Sequence, residues 1–433
     1  MAHMTTEDVH DYINGVCFKT GPPGKVGAET EWLVTDPEDP TAPVTIDRLA
    51  ELLEACGPPP AGSRITFEPG GQIELSSAAL PGPAPAHEAL ARDLDHLRKT
   101  LADDGLHLAE TALDPVRPPV RQLRLPRYTA MERFFANRRQ PSGHTMMCST
   151  ASLQVCLDTG ADPADACARW ELAHRLGPVL VSAFANSAVW RGRPTGWKST
   201  RWAIWAATDG TRTRPALESH THPDPATAWA EYALAAHLLA VSEVPGGGGE
   251  WTADPGITLA DWIGGRGARP ITLADLEFHL STLFPPVRPR GWWELRMIDA
   301  LPLDWWPVPM ALAAALFDEP RARAVAEEAT ERLCRGRFPD PALWRRSASL
   351  GPADPEIDAC TRICFDAAVE ALPRMGAAGL AHLVDAYADH YVRRGRCPAD
   401  GALGRLVPEP RAETGTRDED HGGVHAVRGG DTP

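Results

Sequence analysis

Apolar and polar residues alternate in a handful of short runs along this chain and recur at helical spacing through most of the rest. Lys25 to Val34 alternates and reads as a strand. Arg64 to Glu68 and Gln72 to Ser76 alternate on either side of Pro69-Gly70-Gly71, a turn composition, so they predict a hairpin. Ser149 to Asp158 and Trp292 to Asp299 read as two further strands. Leu90, Leu94, Leu97 and Leu101 fall three and four apart and predict a helix over Ala86 to Asp104, stopped by Gly105. Helices are also expected at Thr5 to Phe18 (N-cap Thr5 or Thr6), Tyr128 to Arg138, Pro163 to Phe184, Ala226 to Val241 and Leu273 to Leu283. From Asp304 to Arg394 the pattern is almost wholly helical. Asn186 to Pro215 is rich in Gly, Trp and Arg and reads as a loop, and Gly246 to Gly249 as a flexible one. Tight hairpins and few βαβ units argue against a doubly wound sheet. The expectation is an α+β fold, an antiparallel sheet with helices on one side. A single catalytic domain with a helical C-terminal part would span residues 1–407, and the polar, aromatic-free segment 408–433 would be a disordered tail.

Strand alternation puts residues i and i+2 on one face. Glu29 and Glu31 therefore share a face, as do Gln72 and Glu74, and Glu294 and Arg296. Their neighbours Ala28, Trp32, Trp293 and Leu295 are apolar, which anchors the other face in a core. Strands disfavour carboxylates. Two explanations stand open, a polar face that meets water and a cation site. Two carboxylates about 6.5 Å apart repel by roughly 2.5 kcal/mol at an effective dielectric of 20, so neighbouring acidic strands call for a counter-ion. Oxygen ligands without Cys or His suit magnesium or manganese.

A net charge of −15 speaks against a nucleic-acid partner, which would need a basic face. No uncharged apolar run reaches the roughly 18 residues of a membrane span, and no signal-peptide pattern opens the chain, so a cytoplasmic protein is expected. The nine cysteines form no CxxC pair. Cys360 and Cys364 could share a helix face, as two buried thiols rather than a metal pair. Gly192 to Ser199 lacks the glycine-to-lysine spacing of a P-loop, and Gly264-Gly265-Arg266-Gly267 fails the dinucleotide fingerprint. Arg191, Arg193, Lys198 and Arg201 remain, either a cationic clamp for phosphates or carboxylates, or a solvated basic loop.

Several segments, taken in order, resemble the glutamate–cysteine ligase family, in its plant and bacterial branch and the actinobacterial relatives that feed ergothioneine synthesis. They are Gly27-Ala28-Glu29-Thr30-Glu31, Gly70 to Ser76, Thr150 to Asp158, Ala185-Asn186-Ser187, Thr195 to Trp205 with Thr208-Asp209, and Trp293-Glu294-Leu295-Arg296. The resemblance implies a curved antiparallel sheet of about six strands, related to glutamine synthetase. It implies that ATP phosphorylates the γ-carboxylate of L-glutamate and that the amine of L-cysteine displaces phosphate, with ATP and Mg²⁺ required. By the same resemblance Glu29, Glu31, Glu74 and Glu294, with Glu68 added, correspond to metal ligands. Gln154 faces metal and nucleotide, Lys198 belongs with the nucleotide contacts, and Arg201 and Arg296 contact the transferred phosphoryl group or a substrate carboxylate. Neither a nucleophilic Ser nor a nucleophilic Cys is expected. Trp190, Trp197 and Trp202 are the candidates for reading the cysteine thiol. Cys156 and Ala188 depart from the plant-type pattern of Asn and Pro and place the amine acceptor in question.

Overall fold

Six strands follow one another across one sheet, every neighbouring pair antiparallel, and a short seventh joins at one side. The computed structural model describes residues 4–218, 224–242 and 251–406. The expected loop at Gly246 to Gly249 and the tail 408–433 lie outside those residues. In chain order the strands are β1 (Lys25–Trp32), β2 (Arg64–Phe67), β3 (Ile73–Ser76), β4 (Leu80–Pro81), β5 (Ser152–Asp158), β6 (Val287–Pro289) and β7 (Trp292–Asp299). Across the sheet they run β6-β7-β5-β1-β3-β2, with β4 on the start of β1. This is the expected α+β architecture. β4 and β6 are two and three residues long, too short for alternation to reveal.

One face of the sheet is apolar because the alternation makes it so. Val26, Ala28, Trp32, Leu75, Val155, Trp293 and Leu295 are all buried there. Three helices join them in one core: α1 (Pro83–Asp103), α3 (Pro163–Ala183) and α5 (Pro307–Asp318), while α2 (Pro126–Asn137) packs in a separate, smaller cluster. The α1 stripe of Leu90, Leu94, Leu97 and Leu101 is fully enclosed, as its spacing predicts. Asp162 caps α3 by accepting from the Asp165 amide, with Pro163 at the first helical position. Trp293 of β7 meets Trp170 of α3 with ring centroids 5.0 Å apart, and Phe18 lies edge-on to both. The Trp293 indole donates to the Thr159 carbonyl at 3.0 Å, so its burial leaves no polar atom unpaired.

Several element boundaries differ from the sequence expectation, each for a local reason. The strand expected from Ser149 starts at Ser152, because Pro141–Ser149 is a helix. The loop expected over Asn186 to Pro215 contains α4 (Thr200–Ala206), capped by the Ser199 hydroxyl, and a further turn at Gly210–Thr213 capped by Asp209. The helix expected to reach Val241 ends at Ala235 and gives way to a strand at Ala240–Ser242. Ile46–Cys56 is a helix that pattern reading passed over. The Pro69-Gly70-Gly71 turn forms as expected. A Cβ at Gly70 would sit 2.1 Å from the Cys148 carbonyl oxygen, and Gly71 has a φ of +92°. Gln72, expected on the acidic face, is buried in this turn, where its amide accepts from Gly70 N and donates to the Thr150 carbonyl at 2.8 Å.

Because Trp293 anchors β7 directly beside Glu294, Trp293→Ala should lower the unfolding free energy by about 3–5 kcal/mol in a urea titration. A loss below about 1 kcal/mol would show that this contact is not what holds the strand.

Candidate functional site

The other face of the sheet carries the charge. Glu31 on β1 stands directly opposite Glu74 on β3, and Glu29 lies between Ser76 on β3 and Gln154 on β5. One strand further, Glu294 on β7 faces Cys156 on β5. Glu68 reaches the same region from the hairpin turn, where Glu68 N donates to the Gln72 carbonyl and Gly71 N to that of Glu68. Glu31, Glu68 and Glu74 each bring one carboxylate oxygen to within 4.8 Å of the other two. Charges at that separation repel by roughly 3.5 kcal/mol per pair at an effective dielectric of 20.

Protein donors reach only part of this cluster. Glu74 accepts from Thr66 Oγ1 and Ser76 Oγ, and Glu31 from the Ser152 amide and Gln154 Nε2. Among the described residues no donor reaches the Glu29 or Glu68 carboxylate. Burial, then Glu31 and Glu74, push Glu68 up to about 8. Burial, then Glu294 and Glu74, push Glu29 to about 7, and burial with Glu74 raises Glu31. Half-enclosed carboxylates that converge in one triplet, one of them without a donor, and that offer only oxygen fit a hard divalent cation.

Glu294 is held differently. Arg288 Nε lies 2.6 Å from it, Arg290 Nη1 3.1 Å and Arg296 Nη1 3.3 Å. Burial would raise its pKa, but the three guanidiniums outweigh burial and carry it down to about 2. The implied set of five ligands is therefore not gathered at one point. Glu31, Glu68 and Glu74 form a triplet, Glu29 feels both Glu74 and Glu294, and Glu294 belongs to a cage of arginines.

Gln154 joins the two halves, donating to Glu31 while its carbonyl oxygen accepts from Arg296 Nη1. A register shift between Leu295 and Ile298 sets an extra residue against Gln154, and this bulge aims Arg296 at it. Arg201, at the start of α4, is buried and donates from Nη2 to the Arg296 carbonyl at 2.8 Å. Both guanidiniums lie about 6 Å from the Trp205 ring centre. They also line a cavity of about 380 Å³ whose other walls include Trp197, Trp202, Phe284 and Trp344. Arg296 Nε and the indole N–H groups of Trp205 and Trp344 are buried among these residues without a partner.

Not every expected residue arrives here. Lys198 turns its ammonium to Asp400 on α6 (Pro398–Leu406) and does not line the cavity. Trp190 packs in a separate cluster with Phe134 and Ile204, whereas Trp197 and Trp202 do line the cavity. Sequence reading missed four participants. Arg288 and Arg290 alternate two apart just before Glu294, a signal that β6 was too short to make visible. Arg127 and Tyr128 start α2 beside the triplet: Arg127 is the cation that most opposes the rise of Glu68, with its Nε buried and unpartnered, and the Tyr128 phenol is raised to about 12 by burial and then by Glu68.

Residues 25–428 match the model of glutamate–cysteine ligase family 2. This chain belongs to the glutamate–cysteine ligase family. It is 38% identical over 402 residues to the glutamate–cysteine ligase EgtA of Mycobacterium tuberculosis, covering 92% of this chain and 89% of that one. It is 38% identical over 411 residues to EgtA of Mycolicibacterium smegmatis, covering 93% and 92%. The chloroplastic glutamate–cysteine ligase of Medicago truncatula is 27% identical over 336 residues, 70% of this chain and 64% of that one. Among solved structures, the glutamate–cysteine ligase of Francisella tularensis in complex with AMP superimposes with a TM-score of 0.51 at 12% identity, over 89% of this chain and 86% of that one. No helix among the described residues of the ligase is long and apolar enough to cross a membrane.

The raised carboxylates have a definite pH signature. Folded Glu68 keeps its proton to about pH 8, whereas an unfolded glutamate releases it near 4.5. Between those values the native state binds the extra proton, so each rise in pH weakens the metal-free fold. Glu68→Gln cannot lose that proton. Its melting temperature in EDTA should climb relative to wild type as pH rises from about 5 to 8, and added Mg²⁺ should close the gap. A pH-independent difference would show that Glu68 ionises freely.

Proposed function

We propose that this ligase forms γ-glutamylcysteine from L-glutamate and L-cysteine through a γ-glutamyl phosphate, converting ATP to ADP and phosphate. The observation that carries this reading is the oxygen-only triplet of Glu31, Glu68 and Glu74 set beside the paired guanidiniums of Arg201 and Arg296, which also border the aromatic cavity. Mg²⁺ held by the triplet, with Glu29 completing the set, supplies neutralisation of the phosphate charge. Glu294 pairs with Arg288, Arg290 and Arg296 and keeps them in place, a role compatible with its depressed pKa. Arg296 and Arg201 meet the transferred phosphoryl group as its charge spreads, and Gln154 fixes Arg296 against the metal-holding side. The cavity takes the amino acids, with apolar walls that exclude water from an acyl phosphate. Cys156 has a thiol pushed well up by burial and then by Glu294 and Glu29, which keeps it protonated and suits no nucleophilic role. The reading also carries a place in the cell's chemistry, the supply of a γ-glutamyl thiol for ergothioneine or another low-molecular-weight thiol.

The test is ADP release by purified protein with ATP, Mg²⁺ and glutamate. Adding cysteine should raise the rate many-fold over glutamate alone, with γ-glutamylcysteine identified by mass spectrometry. A stronger response to a non-thiol amine in the same panel would replace cysteine as the acceptor. Glu31→Gln should lower turnover by about 100-fold or more while circular dichroism stays unchanged; full activity would remove Glu31 from the site.

A further inference from the structure

Asp299 is the last residue of β7 and only 1% exposed. Its carboxylate gathers donors from two segments distant from it in sequence, 186–187 and 199–201. Oδ2 accepts from the Asn186 amide at 2.8 Å and the Ser187 hydroxyl at 2.7 Å. Oδ1 accepts from the Ser199 hydroxyl at 2.9 Å and lies 3.5 Å from Arg201 Nη1. The two hydroxyls carry the connection onward. Ser187 Oγ accepts from the Arg201 amide at 3.0 Å, and Ser199 Oγ caps α4 by accepting from the Trp202 amide at 3.2 Å. The backbone of Arg201, its guanidinium and the helix that carries it are thus each tied to one buried charge.

That charge has an electrostatic task as well. Arg201 is buried, and its neighbour Arg296 is a second cation. Burial pulls the Arg201 guanidinium toward neutrality, and the charges that oppose this are Asp299 first and Glu31 second. Glu31 lies in the triplet and would be shared with a bound cation, whereas Asp299 lies outside the triplet; burial raises the Asp299 carboxyl, and Arg201 with the donors of Asn186, Ser187 and Ser199 opposes that rise.

We propose that Asp299 is a positioning residue for Arg201, fixing its guanidinium beside the Arg296 carbonyl and within reach of the transferred phosphoryl group. Asp299 touches no substrate; it acts through Arg201, and the inference rests on the role given to Arg201 above. A merely structural Asp299 would stabilise the fold without any particular link to that one side chain.

A double-mutant cycle separates the two. Asp299→Asn, which keeps the shape and loses the charge, should lower kcat/KM for glutamate by about ten-fold or more. In an Arg201→Gln background the same change should cost less than about three-fold, because the group it positions is gone. Equal factors in both backgrounds would overturn the inference. Should Asp299→Asn fail to fold, Ser187→Ala takes its place in the cycle. It removes the hydroxyl that joins Asp299 to the Arg201 amide, and the same two outcomes decide. A crystal structure of the variant gives a reading independent of turnover: an Arg201 guanidinium still at its 2.8 Å contact with the Arg296 carbonyl overturns the inference. Absence of cysteine-stimulated ADP release in the wild type would instead sink the functional reading and leave that structural outcome to judge Asp299.

Discussion

Crowded carboxylates on one side of a sheet are the constraint around which this protein is organised. Antiparallel pairing sets Glu31 against Glu74, and the hairpin turn adds Glu68, so like charges meet where water is scarce. Left alone, such a cluster opposes folding, because each buried negative charge loses hydration and gains a repelling neighbour. Glu68, and Glu29 beside the cluster, consequently hold their protons far above the usual range near 4.5. The arrangement persists because the same strands bury an apolar face. Trp32, Val155, Trp293 and Leu295 alternate with the polar-face positions, and their burial against α1, α3 and α5 stabilises the register that brings the charges together.

Two adjoining solutions to buried charge divide the site. At the triplet the protein supplies few donors, and the convergent oxygens could hold a cation. At Glu294 the protein supplies three guanidiniums itself, and the carboxylate stays ionised to low pH. Gln154 spans the boundary with its amide dipole, nitrogen toward Glu31 and oxygen toward Arg296. Such a boundary suits transfer of a phosphoryl group, whose charge needs metal on one side and fixed cations on the other. The aromatic cavity adjoins it through Arg201 and Arg296, so under the proposed function substrate binding and charge stabilisation would share two side chains.

The strands with long alternation were legible from residues alone. Lys25 to Trp32 and Trp292 to Asp299 formed almost where periodicity put them, and so did the Leu stripe of α1, since burial of one face dictates these patterns directly. The acidic face was visible for the same reason: Glu29, Glu31, Glu74 and Glu294 sit at polar positions of strands whose other positions are apolar. Boundaries failed where a short cap decided the outcome, as with Ser199 at α4 and Asp209 just after it.

Sequence by itself determined which face of each strand is acidic, that the fold is α+β with an antiparallel sheet, and which family the chain resembles. Each follows from local spacing or ordered motifs. Only the tertiary structure decided which carboxylates meet. Strand order places β1 between β3 and β5, which brings Glu31 to Glu74 and leaves Glu294 on β7, beyond β5, among Arg288 of β6, Arg290 just after it and Arg296 of its own strand. It also decided that Lys198 turns to Asp400 whereas Arg201 turns inward, though only two residues separate them on the chain. Partner choice of this kind depends mostly on contacts between segments far apart in the chain, and no local pattern encodes them.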